Sequence, residues 1–211
     1  MMASLQNISL KKRIKNLMAI NLTKGGNINL SKTNPGLNRV RVGLGWDTNR
    51  YDTGGEFDLD ASVFVCKNDA AGNPKLISES HFVFYNNTSD PEGGVTHKGD
   101  NRTGAGAGDD ETIIVDLQRV NAATQEISFI VTIHEADTRR QNFGQVSNSY
   151  IAIYNDETGE ELAKYRLEDD FATMTAVQFG SLYKRDSGEW VFKAVGAGFE
   201  KGLGDFVGLY Q

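Results

Sequence analysis

Short runs of alternating apolar and polar residues, each closed by a turn signal, recur along most of this chain. None of them alternates with a helix-length segment. They occupy residues 39–46, 57–67, 81–85, 112–117, 126–134, 149–155, 161–167, 177–184 and 189–195. Asn34-Pro35-Gly36, Ala71-Gly72-Asn73-Pro74, Glu157-Thr158-Gly159 and Asp186-Ser187-Gly188 separate them. A period of two bounded by Gly, Pro and Asn is the signature of strands joined by turns. Without βα alternation such strands pair antiparallel and bury one face against a second sheet. The pattern therefore predicts an all-β fold, an antiparallel two-sheet β-sandwich with short helices near 118–123 and 199–210. Near the start, Leu22-Thr23-Lys24 is echoed by Leu30-Ser31-Lys32 across Gly25-Gly26, a hairpin-turn dipeptide. No Pro- or Ser-rich linker interrupts residues 18–211, which read as one domain.

A sandwich collects its loops at two poles, and one loop here is unusual. Residues 99–111 begin Gly-Asp-Asn, run through Gly104-Ala105-Gly106-Ala107-Gly108 and end Asp109-Asp110-Glu111. Neighbouring carboxylates repel by roughly 1 kcal/mol per pair in water, and more at lower dielectric. Such concentration is relieved by a cation. Oxygen donors without Cys select a hard one, so Ca²⁺ is the natural candidate. The span from Asp100 to Glu111 has EF-hand length, but Arg102, Gly104 and Ala105 stand where that loop needs acidic ligands and its invariant glycine. A phosphate cradle would need a Lys and a helix start after the glycines; three acids follow instead. A second acidic element, Asp58-Leu59-Asp60, opens a strand-like run and sends both carboxylates to one face. Asp47, after Gly43-Leu44-Gly45-Trp46, is a further candidate.

The formal net charge of −6 argues against a nucleic-acid phosphate surface. It also disfavours direct contact with anionic lipid. Cys66 is the sole cysteine and lies in an apolar run, so it reads as a small buried hydrophobe, consistent with a reducing cytoplasm. No stretch of about 18 apolar residues is available to span a bilayer as a helix. Residues 1–17 carry Lys11, Lys12, Arg13 and Lys15 and no acids. They lack the apolar core of a signal peptide and are expected to be a disordered leader or a mis-assigned start, with Met18 the true one. From Met18 onward, 18 basic residues face 28 acidic ones, a balance of −10.

Several blocks together carry a resemblance. Gly43-Leu44-Gly45-Trp46-Asp47, Phe57-Asp58-Leu59-Asp60-Ala61-Ser62, Phe84-Tyr85-Asn86-Asn87 and Val95-Thr96-His97 are among them. So are residues 99–111, Val131-Thr132-Ile133-His134 and Arg139-Arg140-Gln141-Asn142-Phe143-Gly144-Gln145-Val146. In order and spacing the chain resembles, from Met18 to about Tyr210, the bacterial tellurium-resistance TerD family of general stress proteins. The resemblance implies a cytoplasmic Ca²⁺-binding β-sandwich with two nearby ions. It also implies action through assemblies at the inner face of the membrane, not through known catalysis. Its ligands carry over to Asp58, Asp60, Asp100, Asn101, Asp109, Asp110 and Glu111, with backbone oxygens around Arg102, Gly104 and Gly106. Asp47, Asn86 and Asn87 are weaker candidates.

Three functions compete. A non-catalytic Ca²⁺-dependent module for protein partners leads, because ion binding would order the acidic pole. A C2-like membrane binder would want apolar or basic loop tips, and residues 104–108 offer only Ala and Gly. A metal-dependent hydrolase needs a distinct base, and the three scattered His supply no evident one. His134 reads as a structural strand-end residue, Arg139 and Arg140 as charges balancing the acids, and Trp46 and Trp190 as core.

Overall fold

The computed structural model describes residues 24–49, 55–106 and 108–211. The expected leader and start at Met18 lie outside these residues. The strands are β1 (Asn27–Asn29), β2 (Arg39–Gly45), β3 (Leu59–Asn68), β4 (Pro74–Leu76), β5 (Phe82–Val83), β6 (Val95–His97), β7 (Glu111–Asp116), β8 (Glu126–Ile133), β9 (Tyr150–Asn155), β10 (Glu161–Arg166), β11 (Ala176–Lys184) and β12 (Trp190–Phe199). Three short α-helices lie between strands, α1 (Leu30–Thr33), α2 (Ala136–Arg139) and α3 (Leu167–Asp170), and a fourth, α4 (Leu203–Tyr210), follows β12. One sheet runs β1-β12-β11-β8-β3-β4, with β5 also on β3; the other runs β10-β9-β2-β7-β6. Every pairing is antiparallel.

The core lies between the sheets. Val40, Val42 and Leu44 of β2 and Ile113 and Val115 of β7 meet Leu59, Val63 and Val65 of β3 and Ile127, Phe129 and Val131 of β8. Alternate residues of β3 and β8 face the other way, yet Phe64, Cys66 and Ile130 are buried too. The reason is α4, which lays Phe206 and Tyr210 over that outer face. Phe64 is stacked between Phe82 and Tyr210, with centroid distances of 4.6 and 4.4 Å. Tyr210 keeps its hydroxyl satisfied by Ser128 Oγ at 2.8 Å, as a buried phenol requires.

The helix expected near 118–123 is absent; those residues form turns. The side chain of Asp116 accepts from the Gln118 N–H, and that of Asn121 from the Ala123 N–H. Such local bonds offer the backbone an alternative to a helical ladder. The segment echoing Leu22-Thr23-Lys24 is not a strand either: Leu30–Thr33 is a helical turn capped by Asn29, whose Oδ1 accepts from Lys32 N. The helix at the C-terminus starts later than expected, because β12 continues to Phe199.

The double-sided burial of β3 yields a contrast that denaturant unfolding can read. Phe64→Ala empties a fully buried aromatic site and should cost about 3–5 kcal/mol. Leu209→Ala, on the exposed side of the same helix layer, should stay within about 0.5 kcal/mol of wild type. Equal losses would mean that α4 does not cover the sheet as described.

Candidate metal centre

One pole of the sandwich is where β2 ends and where β3 and β7 begin. Asp58 precedes β3 and Asp60 is its second residue, so strand alternation sends both carboxylates from one side of the chain. The loop before β7 brings Asp100 to them. One carboxylate oxygen from each of Asp58, Asp60 and Asp100 lies within 4.8 Å of the others. Asp58 and Asp60 are buried, while Asp100 is exposed. Glu111, the first residue of β7, is only 1% exposed. Its Oε2 accepts from the Ala61 N–H at 2.7 Å, which ties β7 to β3 across the sandwich. His97 lies behind it, with Nε2 at 3.5 Å from Glu111 Oε2. His97 Nδ1 accepts from the Gly99 N–H, so the proton of the neutral ring sits on Nε2, facing Glu111.

Two arginines and a histidine border this cluster at ion-pair distance. Arg102 Nε and Arg139 Nη1 lie 3.6 and 4.0 Å from Asp58 Oδ2, and His134 Nδ1 lies 3.6 Å from Asp60 Oδ2. Asp58 Oδ1 and Glu111 Oε1 are buried without a hydrogen-bond partner among the described residues. Burial, then the like charges of Glu111, Asp58 and Asp100, push the Asp60 carboxyl up to about 8. Burial also raises Asp58 and Glu111. Unpartnered, desolvated carboxylate oxygens aimed into one pole fit a cation with oxygen ligands. A cleft of about 330 Å³ opens beside Asp60, lined also by Tyr85, Thr132, His134, Asp137 and Lys201.

The other candidates from the sequence divide into groups. Asn101 and Asp110 organise the loop. Asn101 Oδ1 accepts from the Thr103 and Gly104 N–H groups, and its Nδ2 donates to Asp110 Oδ1 at 2.8 Å. Asp110 Oδ2 accepts from the Trp46 N–H at 2.9 Å. Trp46 in turn donates its indole N–H to Phe57 O, holding the approach to β3. Gly104, at φ +67°, packs on Trp46 so closely that a Cβ would sit 2.6 Å from the indole. Gly106 is exposed, and Arg102 presents its guanidinium to Asp58.

Asp109 turns away from the cluster to the outer side of β2, where Arg41 and the Tyr150 hydroxyl hold it. Gly43 and Gly45 make room there for Asp109 and Tyr150. Asp47 Oδ2 accepts from Asn148 Nδ2 at 2.7 Å. Asn87 donates to Phe82 O within its own turn, and Asn86 is exposed. The sequence reading did not link His97 to Glu111, nor Arg41 to Asp109. Arg41, Gly43 and Gly45 do share one face of β2 by alternation, which was the available signal.

The sequence matches the TerD domain family over residues 18–210. General stress protein 16U of Bacillus subtilis (strain 168) is 54% identical over 186 residues, which cover 88% of this chain and 94% of that protein. Tellurium resistance protein TerD of Serratia marcescens is 49% identical over 193 residues, 92% of this chain and 97% of that one. The crystal structure of a homologue of telluride resistance protein (TerD) from Streptomyces coelicolor A3(2) superposes with a TM-score of 0.69. It is 27% identical and covers 82% of this chain and 96% of that one.

The buried acids set a pH dependence for protein kept in chelator. Asp60 binds its proton more tightly folded than unfolded, with the unfolded value near 3.8. Ionisation therefore favours the unfolded chain, and stability should fall as pH rises from about 4 to about 8, then level. Asp60→Asn cannot ionise and should flatten that slope in a melting series. A slope that survives unchanged in the variant would show that Asp60 is not its source.

Proposed function

The chain belongs to the TerD domain family, and from that membership we propose that it is a non-catalytic calcium-binding module of a tellurite- and stress-resistance system. The observation that carries the reading is the pair of buried, unpartnered oxygens, Asp58 Oδ1 and Glu111 Oε1, beside the Asp60–Asp100 carboxylates. Asp58, Asp60 and Asp100 would hold the ion, with Glu111 supporting them from below. The ion would add positive charge beyond the two arginines, which within this cluster pair with Asp58 Oδ2 alone and leave Asp58 Oδ1 unpartnered. Ca²⁺ accepts six to eight oxygens in flexible geometry, which suits a set drawn from a strand and a loop; Mg²⁺ demands a tight octahedron. Of the two ions the resemblance implies, this set accounts for one. Asn101 and Asp110 bond each other and would have to part to serve a second.

The absence of catalysis is supported by the relatives, which are named for resistance and stress rather than for a reaction. Binding the ion would fix the 99–111 loop against Trp46 and β3, forming a surface for a protein partner in the cytoplasm. Attachment to a membrane would then come through that partner. Among the described residues no helix is long and apolar enough to cross a bilayer.

Calorimetric titration of the full chain tests this reading. Ca²⁺ should bind, raise the melting temperature and outcompete Mg²⁺. A hundredfold excess over Kd should add about 2.7 kcal/mol of stability. Asp100→Asn, at an exposed position, should weaken binding at least about tenfold, roughly 1.4 kcal/mol. Asp109→Asn, on the far side of β2, should change it less than about threefold. Wild-type affinity in Asp100→Asn would overturn the assignment, and so would a wild-type chain that binds no Ca²⁺.

A further inference from the structure

At the other end of β7 from the acidic loop lies a second cluster of different chemistry. The turn at 90–94 leads into β6, and the Asp116 N–H donates to Gly94 O at 2.7 Å, which places that turn beside the end of β7. His81, Asp90 and Glu92 each offer one ligand atom, and the three atoms lie within 4.8 Å of one another. His81 and Asp90 are each 4% exposed. We propose that His81, Asp90 and Glu92 bind a divalent transition-metal ion of the zinc class.

Each candidate ligand is anchored through its other atom and leaves one atom for the centre. Asp90 Oδ1 accepts from the Val95 N–H at 2.8 Å, while Oδ2 is buried with no hydrogen-bond partner among the described residues. His81 Nδ1 contacts Ser78 Oγ at 2.8 Å, and Nε2 faces Glu92 Oε2 at 3.1 Å. Glu92 Oε1 accepts from Asn121 Nδ2 at 2.5 Å. Its backbone carbonyl accepts from Arg119 Nη2 at 3.1 Å. Outer partners that fix ring orientation and carboxylate rotamer are what metal ligands ordinarily have.

An ion pair between His81 and Glu92 alone leaves Asp90 Oδ2 buried and unused. A metal satisfies all three residues. One imidazole with two carboxylates suits zinc-class ions better than Ca²⁺, and three protein ligands leave a fourth position for water. Metal–ligand bonds of about 2.0–2.2 Å place tetrahedral donors roughly 3.5 Å apart. His81 Nε2 and Glu92 Oε2 stand 3.1 Å apart and all three donors lie within 4.8 Å, a spacing that small side-chain shifts would adapt to an ion. The ion would clip the turn Glu79–His81, the 90–94 turn and, through Arg119 and Asn121, the segment after β7.

The full chain contains three histidines, so its ring resonances can be assigned. Saturating Ca²⁺ first occupies the acidic pole; Zn²⁺ is then added and the ring nitrogens are read by NMR. His81 Nε2 should shift to a metal-bound value while His97 and His134 stay put. Co²⁺ in place of Zn²⁺ should give visible d–d absorption. That absorption should weaken at least about tenfold in affinity in Asp90→Asn and His81→Gln, and persist in Asp60→Asn. The wild-type NMR reading holds even if a variant fails to fold. An unshifted His81, a shift confined to His97 or His134, or Co²⁺ absorption that needs Asp60 would overturn the proposal.

Discussion

Burying several carboxylates side by side is among the costliest things a fold can do, and this sandwich does it where β7 and β3 meet across its two sheets. Asp58, Asp60 and Glu111 are all buried there. Glu111 accepts from the Ala61 N–H and so joins β7 to β3. The same charge that makes this link strong makes the crowded acidic pole expensive. The guanidinium groups of Arg102 and Arg139 stand 3.6 and 4.0 Å from Asp58 Oδ2. Burial raises all three carboxyls, and a bound cation would favour their ionised forms.

The loop from 99 to 111 is built to serve that pole. Asn101 gathers the loop's own N–H groups, Asp110 anchors its end to the Trp46 N–H, and Gly104 lets the chain lie directly on the indole. Trp46 then reaches Phe57. One continuous path thus runs from Asn101 through Asp110 and Trp46, just past β2, to Phe57 at the approach to β3. A ligand that ordered Asp100 against Asp58 and Asp60 would act on the loop that this path ties to β3.

Most of the strand framework was legible in the sequence because period-two alternation survives wherever one face is buried and the other is not. The boundaries of β2, β8, β9 and β11 fall within a residue or two of expectation. Short edge strands such as β1, β4 and β6 escaped, since three residues carry too little alternation to register. The turns at 118–123 imitated a helix because Asp116 and Asn121 compete for the backbone through their side chains. At the pole, the sequence identified the acidic residues but not how they divide. Asp58, Asp60 and Asp100 converge. Asp110 organises the loop, and Asp109 joins Arg41 and Tyr150. Asp110 and Glu111 are consecutive where β7 begins and point to opposite sides, while Asp109 lies before the strand and turns to Arg41, so the three acids do not all face one ion. The second cluster left no sequence signal, since His81 and Asp90 meet only through the folding of the 84–94 segment.

The central claim is that a cation at Asp58, Asp60 and Asp100 locks the loop, Trp46 and β3 into one unit. Amide hydrogen exchange, with Ca²⁺ and then with chelator, reads it at three N–H groups. Those of Gly104, Trp46 and Ala61 are bonded respectively to Asn101, Asp110 and Glu111. The account predicts that Ca²⁺ slows exchange at all three together, by at least about tenfold, while amides of β11 and β12 change less. Equal protection with and without Ca²⁺, or protection gained at Gly104 alone, would contradict it.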